Sequence, residues 1–257
     1  MTPPPTDTVS TAPRTLAIVV CVPGPRDRLG PIPDEFDEIE AGLASLRPRW
    51  RFVRLDPARD ERPVDLGAFD AVVFSGSPSS VNDPDAWIGT LLEQVRGLHA
   101  KRVPMVGICF GHQLIAKALG GAVGPNPAGL IAGPVPVHWS DQAPWMQPPR
   151  TEVVLRAMHH DQVLRAPAEA EVIASAEHCP VAAFRVGGHV LGTQHHPEMP
   201  AAHLSAVLDL LGRQPGTAQR QTVIASARAS LDRPTDGALV MGWLARFLED
   251  GGGRGGA

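Results

Sequence analysis

Three short runs in the first half of the chain are continuously apolar and rich in β-branched residues: Leu16 to Val22, Ala71 to Phe74 and Val103 to Ile108. Runs of this length without alternation predict strands covered on both faces, as at the centre of a parallel sheet. Between them apolar positions recur at helical spacing. Phe36, Ile39, Leu43 and Leu46 form one stripe of a segment from Asp34 to Leu46, and Ile88, Leu91, Leu92 and Val95 form another from Trp87 to Leu98. Strand and helix alternate, which predicts an α/β fold with a doubly wound, mostly parallel central sheet flanked by helices.

Leu114, Ile115, Ala118 and Leu119 mark a further helix that Gly120-Gly121 stops. The pattern then changes. Pro134 to Trp139, Glu152 to Arg156, Glu171 to Ser175, Val181 to Val186 and His189 to Thr193 predict short strands separated by turns, with Gly187-Gly188 as a hairpin connection. This adds a small antiparallel region to a flavodoxin-like core. Leu204 to Leu211, Thr222 to Leu231 and Leu239 to Leu248 are helical, and Gln214-Pro215-Gly216 separates the first two. The expected organisation is a Pro/Thr-rich disordered leader over residues 1–14 and one domain over 15–249, with a C-terminal helical extension from about 203 to 249. A glycine-rich flexible tail over 250–257 completes it.

At 257 residues, 43% hydrophobic and 19% charged, the chain has the apolar material for one large core, which argues against global disorder. A net charge of -4 with scattered basic residues lacks the footprint of a general nucleic-acid binder. Cys21, Cys109 and Cys179 contain no C-x-x-C pair, so neither a disulfide framework nor a cysteine zinc site is expected. The start carries no secretory pattern and no apolar run approaches a membrane span, which together predict a cytoplasmic protein without a membrane partner.

The candidate chemistry lies in Gly107-Ile108-Cys109-Phe110-Gly111-His112-Gln113, where a buried strand turns sharply into a helix. A cysteine at such an elbow is a candidate nucleophile, because the flanking glycines permit the turn and the helix start offers unpaired N–H groups to a thiolate or an oxyanion. In Gln194-His195-His196-Pro197-Glu198, His196 has the character of a general base and Glu198 that of the group holding its tautomer. The loop Phe74-Ser75-Gly76-Ser77-Pro78 follows a central strand and so lies at the same sheet edge as the elbow; backbone N–H groups of Ser77 and Phe110 are the expected oxyanion donors. His159-His160-Asp161-Gln162-Val163 invites a metal reading, yet adjacent polar residues seldom converge, and no metal is expected.

Taken in order, Ser-Gly-x-Pro, Gly-x-Cys-x-Gly-x-Gln, His-x-Asp-x-Val and Gln-x-His-Pro-Glu resemble the motifs of class I, triad-type glutamine amidotransferases, and in particular the free-standing GMP-synthase-like branch, over about residues 16–200. The resemblance implies Cys109 as nucleophile, His196 as general base and acid, Glu198 as its orienting group, and Gly76, Gln113 and His159 as substrate-binding residues, without a cofactor. It implies hydrolysis of the side-chain amide of L-glutamine through a thioester. No nucleotide-binding glycine motif is present, so ammonia would go to an unidentified acceptor or a separate synthetase subunit. A γ-glutamyl peptide or conjugate hydrolase and a non-catalytic binding subunit are the alternatives, and the C-terminal helices offer a surface for a homodimer. Two departures stand out: Ser77 replaces a second glycine, and His195 replaces an aromatic residue.

Overall fold

The structure is a computed structural model that describes residues 13–24, 32–59, 64–140 and 143–251. Most of the expected leader, residues 1–12, and the tail from 252 lie outside the described residues. Arg14, assigned above to the leader, is already held: its carbonyl accepts from Arg51 N–H at 2.7 Å and its guanidinium donates to the Leu248 carbonyl.

Five parallel strands form the first half of the main sheet. They are β1 (Thr15–Val19), β2 (Arg51–Leu55), β3 (Ala71–Phe74), β4 (Met105–Ile108) and β11 (Val190–Thr193), in spatial order β2-β1-β3-β4-β11. The sheet continues antiparallel through β10 (Cys179–Val186), β9 (Glu171–Ala176), β6 (Ile131–Trp139) and β7 (Glu152–His159). A separate antiparallel pair joins β5 (Ala122–Pro125) to β8 (Asp161–Arg165).

Helices cover both faces. α1 (Glu35–Leu46) and α6 (Gly237–Asp250) enclose one core with Leu16, Ile18, Val106 and Ile108, while α2 (Ala86–Ala100) and α3 (Phe110–Ala118) enclose the other with Ala17, Val72, Phe74 and Met105. This division follows from the strands themselves, whose alternate side chains point to opposite faces. α4 (Ala201–Gly212) and α5 (Ala218–Ala229) form a smaller cluster that packs on Ala132 and Met158.

Three expectations needed correction. The Leu16–Val22 run stays buried throughout, but its ladder ends at Val19, where β2 and β3 end; apolarity reports burial, whereas a strand also needs a partner. Val103 is not in β4, because Arg102 takes φ 54° and Pro104 has no N–H to give the ladder. The predicted strand at Glu152–Arg156 runs on to His159, which brings its end into the site. β2, β5 and β8 were not anticipated.

Candidate active site

Cys109 sits between β4 and α3 with φ 52° and ψ -103°, a strained conformation for a residue with a Cβ. Close approach explains its neighbours. A Cβ at Gly107 would lie 2.4 Å from the Gly111 carbonyl group, and one at Gly111 would lie 2.4 Å from Phe74 O. The turn is held on both sides, by Cys109 N–H donating to Thr193 O at 2.9 Å and Gly111 N–H donating to Ser75 O at 3.1 Å. Strands β3, β4 and β11 thereby share one edge. Phe110 opens α3, where its N–H has no acceptor within the helix.

His196 reaches the same place from the loop after β11. Its N–H donates to Arg156 O at 2.8 Å, and the Arg156 guanidinium donates to Met199 O at 3.0 Å and to Thr235 Oγ1 at 2.9 Å, so β7 clamps the loop from both ends. Nδ1 of His196 lies 2.7 Å from Glu198 Oε1, with both side chains buried. A Cβ at Gly76 would stand 3.0 Å from His196 Cε1 and 3.8 Å from Cys109 Cβ, so imidazole and thiol converge on the Gly76 backbone. Nε2 is buried without a well-formed hydrogen bond, and the sulfur interacts with the ring. Burial by itself would push this imidazole down; Glu198 and Cys109 outweigh it and hold His196 well above its ordinary value.

The adjacent His195 is different in kind. Its Nδ1 is buried without a partner, its ring meets that of His159 edge-on at 5.8 Å, and burial beside His159, His196 and His112 holds it well below the ordinary value. His196 is therefore the histidine that faces Glu198 and the thiol. Burial likewise lowers His159 to about 4 and His112 to about 3.

Ser77 lies in the half-buried loop after Gly76, and its Oγ accepts from Ser79 N–H at 3.1 Å. Among the described residues only Arg102 and Cys109 carry a side chain at positive φ, so the serine replacing a glycine adds no backbone strain. Gln113 donates through Nε2 to Asp161 O at 2.8 Å and to Gln194 Oε1 at 3.2 Å. His159 is buried at the end of β7, with Nδ1 3.0 Å from Asp161 O and Nε2 unpartnered. The neighbouring Met158 carbonyl accepts from the Cys109 thiol at 3.7 Å.

Sequence reasoning missed Gln194, which is fully buried with Nε2 3.6 Å from Cys109 Sγ. Its one signal was membership of the Gln-x-His-Pro-Glu motif. Cys179 and Cys21, expected to be packing residues, are buried; burial pushes Cys179 up to about 12 and Cys21 higher still. Among the described residues no group of three or more His, Cys, Asp or Glu side chains could hold a metal ion, and no helix is long and apolar enough to cross a membrane.

Residues 37–205 match the family model for class-I glutamine amidotransferases. The chain is 39% identical over 128 residues to a glutamine-hydrolyzing GMP synthase of Aeropyrum pernix, a match covering 50% of this chain and 24% of that enzyme. It is 29% identical over 172 residues to gamma-glutamyl peptidase 3 of Arabidopsis thaliana, covering 63% of this chain and 67% of the relative. Among solved structures, a glutamine amidotransferase from Methylobacillus flagellatus superposes with a TM-score of 0.69 at 25% identity, over 96% of this chain and 98% of the other.

Proposed function

The chain belongs to the class-I glutamine amidotransferase family, and from that premise we propose that it hydrolyses the side-chain amide of L-glutamine through a thioester at Cys109. The observation that carries this reading is the strained Cys109 converging with His196, whose far nitrogen is held by Glu198. His196 Nε2 takes the thiol proton and the sulfur attacks the amide carbon. The negative charge that develops on oxygen meets the backbone N–H groups of Phe110 and Ser77. The imidazolium then returns its proton to the amide nitrogen, the C–N bond breaks and ammonia leaves. Water, deprotonated by His196, attacks the γ-glutamyl thioester, and glutamate departs as the C–S bond breaks.

The Aeropyrum match ends after about a quarter of that enzyme, which supports delivery of ammonia to an acceptor handled by a separate synthetase. Ammonia release from L-glutamine by wild type, Cys109→Ser and Cys109→Ala tests the chemistry. Loss of at least 10³ in turnover is expected in both variants, and undiminished release would remove Cys109 from the reaction.

A second reading has its own support in the Arabidopsis relative, similar over 63% of this chain. There the same thioester would form from a γ-glutamyl peptide or conjugate, with an amine heavier than ammonia leaving. The ratio of kcat/KM for glutamine against γ-glutamyl dipeptides decides between them; a ratio well above one favours the amidohydrolase.

A further inference from the structure

The backbone carbonyl of Asp161 accepts from α3, and a carbonyl oxygen can only accept. Gln113 must therefore turn its NH2 end toward it, as the 2.8 Å contact from Nε2 requires. That nitrogen carries two hydrogens, and the second meets Oε1 of Gln194 at 3.2 Å. With its oxygen engaged, Gln194 directs its own NH2 at Cys109, 3.6 Å from Sγ. The donor direction is handed along the chain of amides from a group that cannot be reversed, so neither glutamine has a free choice of flip.

We infer that Gln194 is a further catalytic residue: its side-chain N–H donates to Cys109 Sγ and stabilises the thiolate, in an orientation set by the Asp161 carbonyl through Gln113. The sulfur has two ionisation states with different partners. As a thiol it donates to Met158 O at 3.7 Å, an acceptor that cannot favour a negative sulfur. When the S–H bond breaks and the proton passes to His196 Nε2, the electron pair left on sulfur accepts from Gln194. A charge-assisted bond of this kind is stronger than a neutral one. The titratable groups around the sulfur are His196 and Glu198 from the loop after β11, His159 and His195 behind them, and Cys179 at the start of β10. Gln194 is uncharged, so its effect separates from theirs by substitution.

The inference rests on Cys109 being the nucleophile, yet its test needs no substrate. The chain contains no tyrosine, so the ultraviolet absorbance of a thiolate can be titrated without a tyrosinate background. Subtracting the Cys109→Ser titration isolates Cys109, and burial keeps Cys179, at about 12, out of the range measured. In the full chain, Gln194→Met keeps the volume and removes the donor; the thiolate is expected to appear about one pH unit higher. Gln194→Glu shifts it further, because a carboxylate then faces the sulfur. Gln113→Met leaves the neighbours of Cys109 in place but frees Gln194 to turn its oxygen around, and gives a smaller shift of the same sign.

A wild-type curve in Gln194→Met overturns the donor, and one in Gln113→Met overturns the relay. If Gln194→Met melts too early to titrate, Gln113→Met decides alone. A shifted titration in a protein that leaves glutamine intact would retain this inference and remove the proposed reaction; glutamine turnover with unshifted curves would do the reverse.

Discussion

Two buried imidazole–carboxylate pairs lie on either side of Met199, with nearly the same bond and opposite consequences. His196 Nδ1 is 2.7 Å from Glu198, and His203 Nδ1 is 2.8 Å from Glu38. The first ring has Cys109 beyond it. The second joins α4 to α1 and is a strut between helices. The carboxylate in each pair can fix a tautomer, but a histidine becomes a base only when its other nitrogen meets a proton to remove. The comparison breaks most sharply by removing each ring in turn. His196→Asn and Glu198→Gln are expected to lower kcat by about 10³ to 10⁴, the glutamine because it would donate to Nδ1 and leave the wrong tautomer. His203→Asn should leave kcat within about threefold while costing about 1–3 kcal/mol of stability, since Glu38 is left buried without its partner. Equal losses of turnover at 196 and 203, measured on folded protein, would make the strut part of the chemistry.

The same contrast explains what the residue order could reveal. His196 and Glu198 are two apart, so a loop motif contains the whole pair; Glu38 and His203 are 165 apart and only packing of α1 on α4 unites them. Gln194 escaped notice for the same reason, its target being 85 residues away. Among the elements, β3 matches its predicted bounds of Ala71–Phe74 because both faces are covered and the run is purely apolar. β2 alternates at the sheet edge with Arg51, Val53 and Leu55 partly in water, which leaves no continuous apolar signal. In Asp161–Arg165 the polar motif residues mask a strand whose partner, β5, is only four residues long. The α1 start was legible because Asp34 caps it, accepting from Phe36 N–H at 2.8 Å.

Buried histidines without a carboxylate on the ring sharpen the comparison through pH. His112 and His159 are lowered by burial to about 3 and about 4, and His195 is lowered as well. A depressed folded-state value contributes stability above the ordinary value of 6.5 and loses it as pH falls toward the folded value. His196 runs the other way: its raised value contributes below 6.5 and is lost as pH rises through the folded value. The acid limb should therefore be steep between pH 6.5 and about 4, by up to about 1.4 kcal/mol per pH unit for each neutral histidine. Denaturant unfolding across that interval measures the slope. His112→Gln should reduce it by one proton whatever it does to stability overall; parallel limbs would mean that His112 charges in the folded state.

The smallest effect concerns the coupling between the two pairs. Burial raises the Glu38 carboxyl, with His203 opposing and the charge of Glu198 adding to the rise. One oxygen of each carboxylate is buried without a hydrogen bond. Glu38→Gln keeps the shape and the acceptor for His203 while removing a like charge beside Glu198. With that repulsion gone Glu198 remains ionised more readily and holds the His196 imidazolium more firmly. The expected result is a change in kcat within about threefold and a pH–rate profile whose imidazole limb moves upward by a few tenths of a unit. A stationary limb would show that the carboxylates do not sense one another, and that the strut and the site are independent despite sharing the segment from His196 to His203.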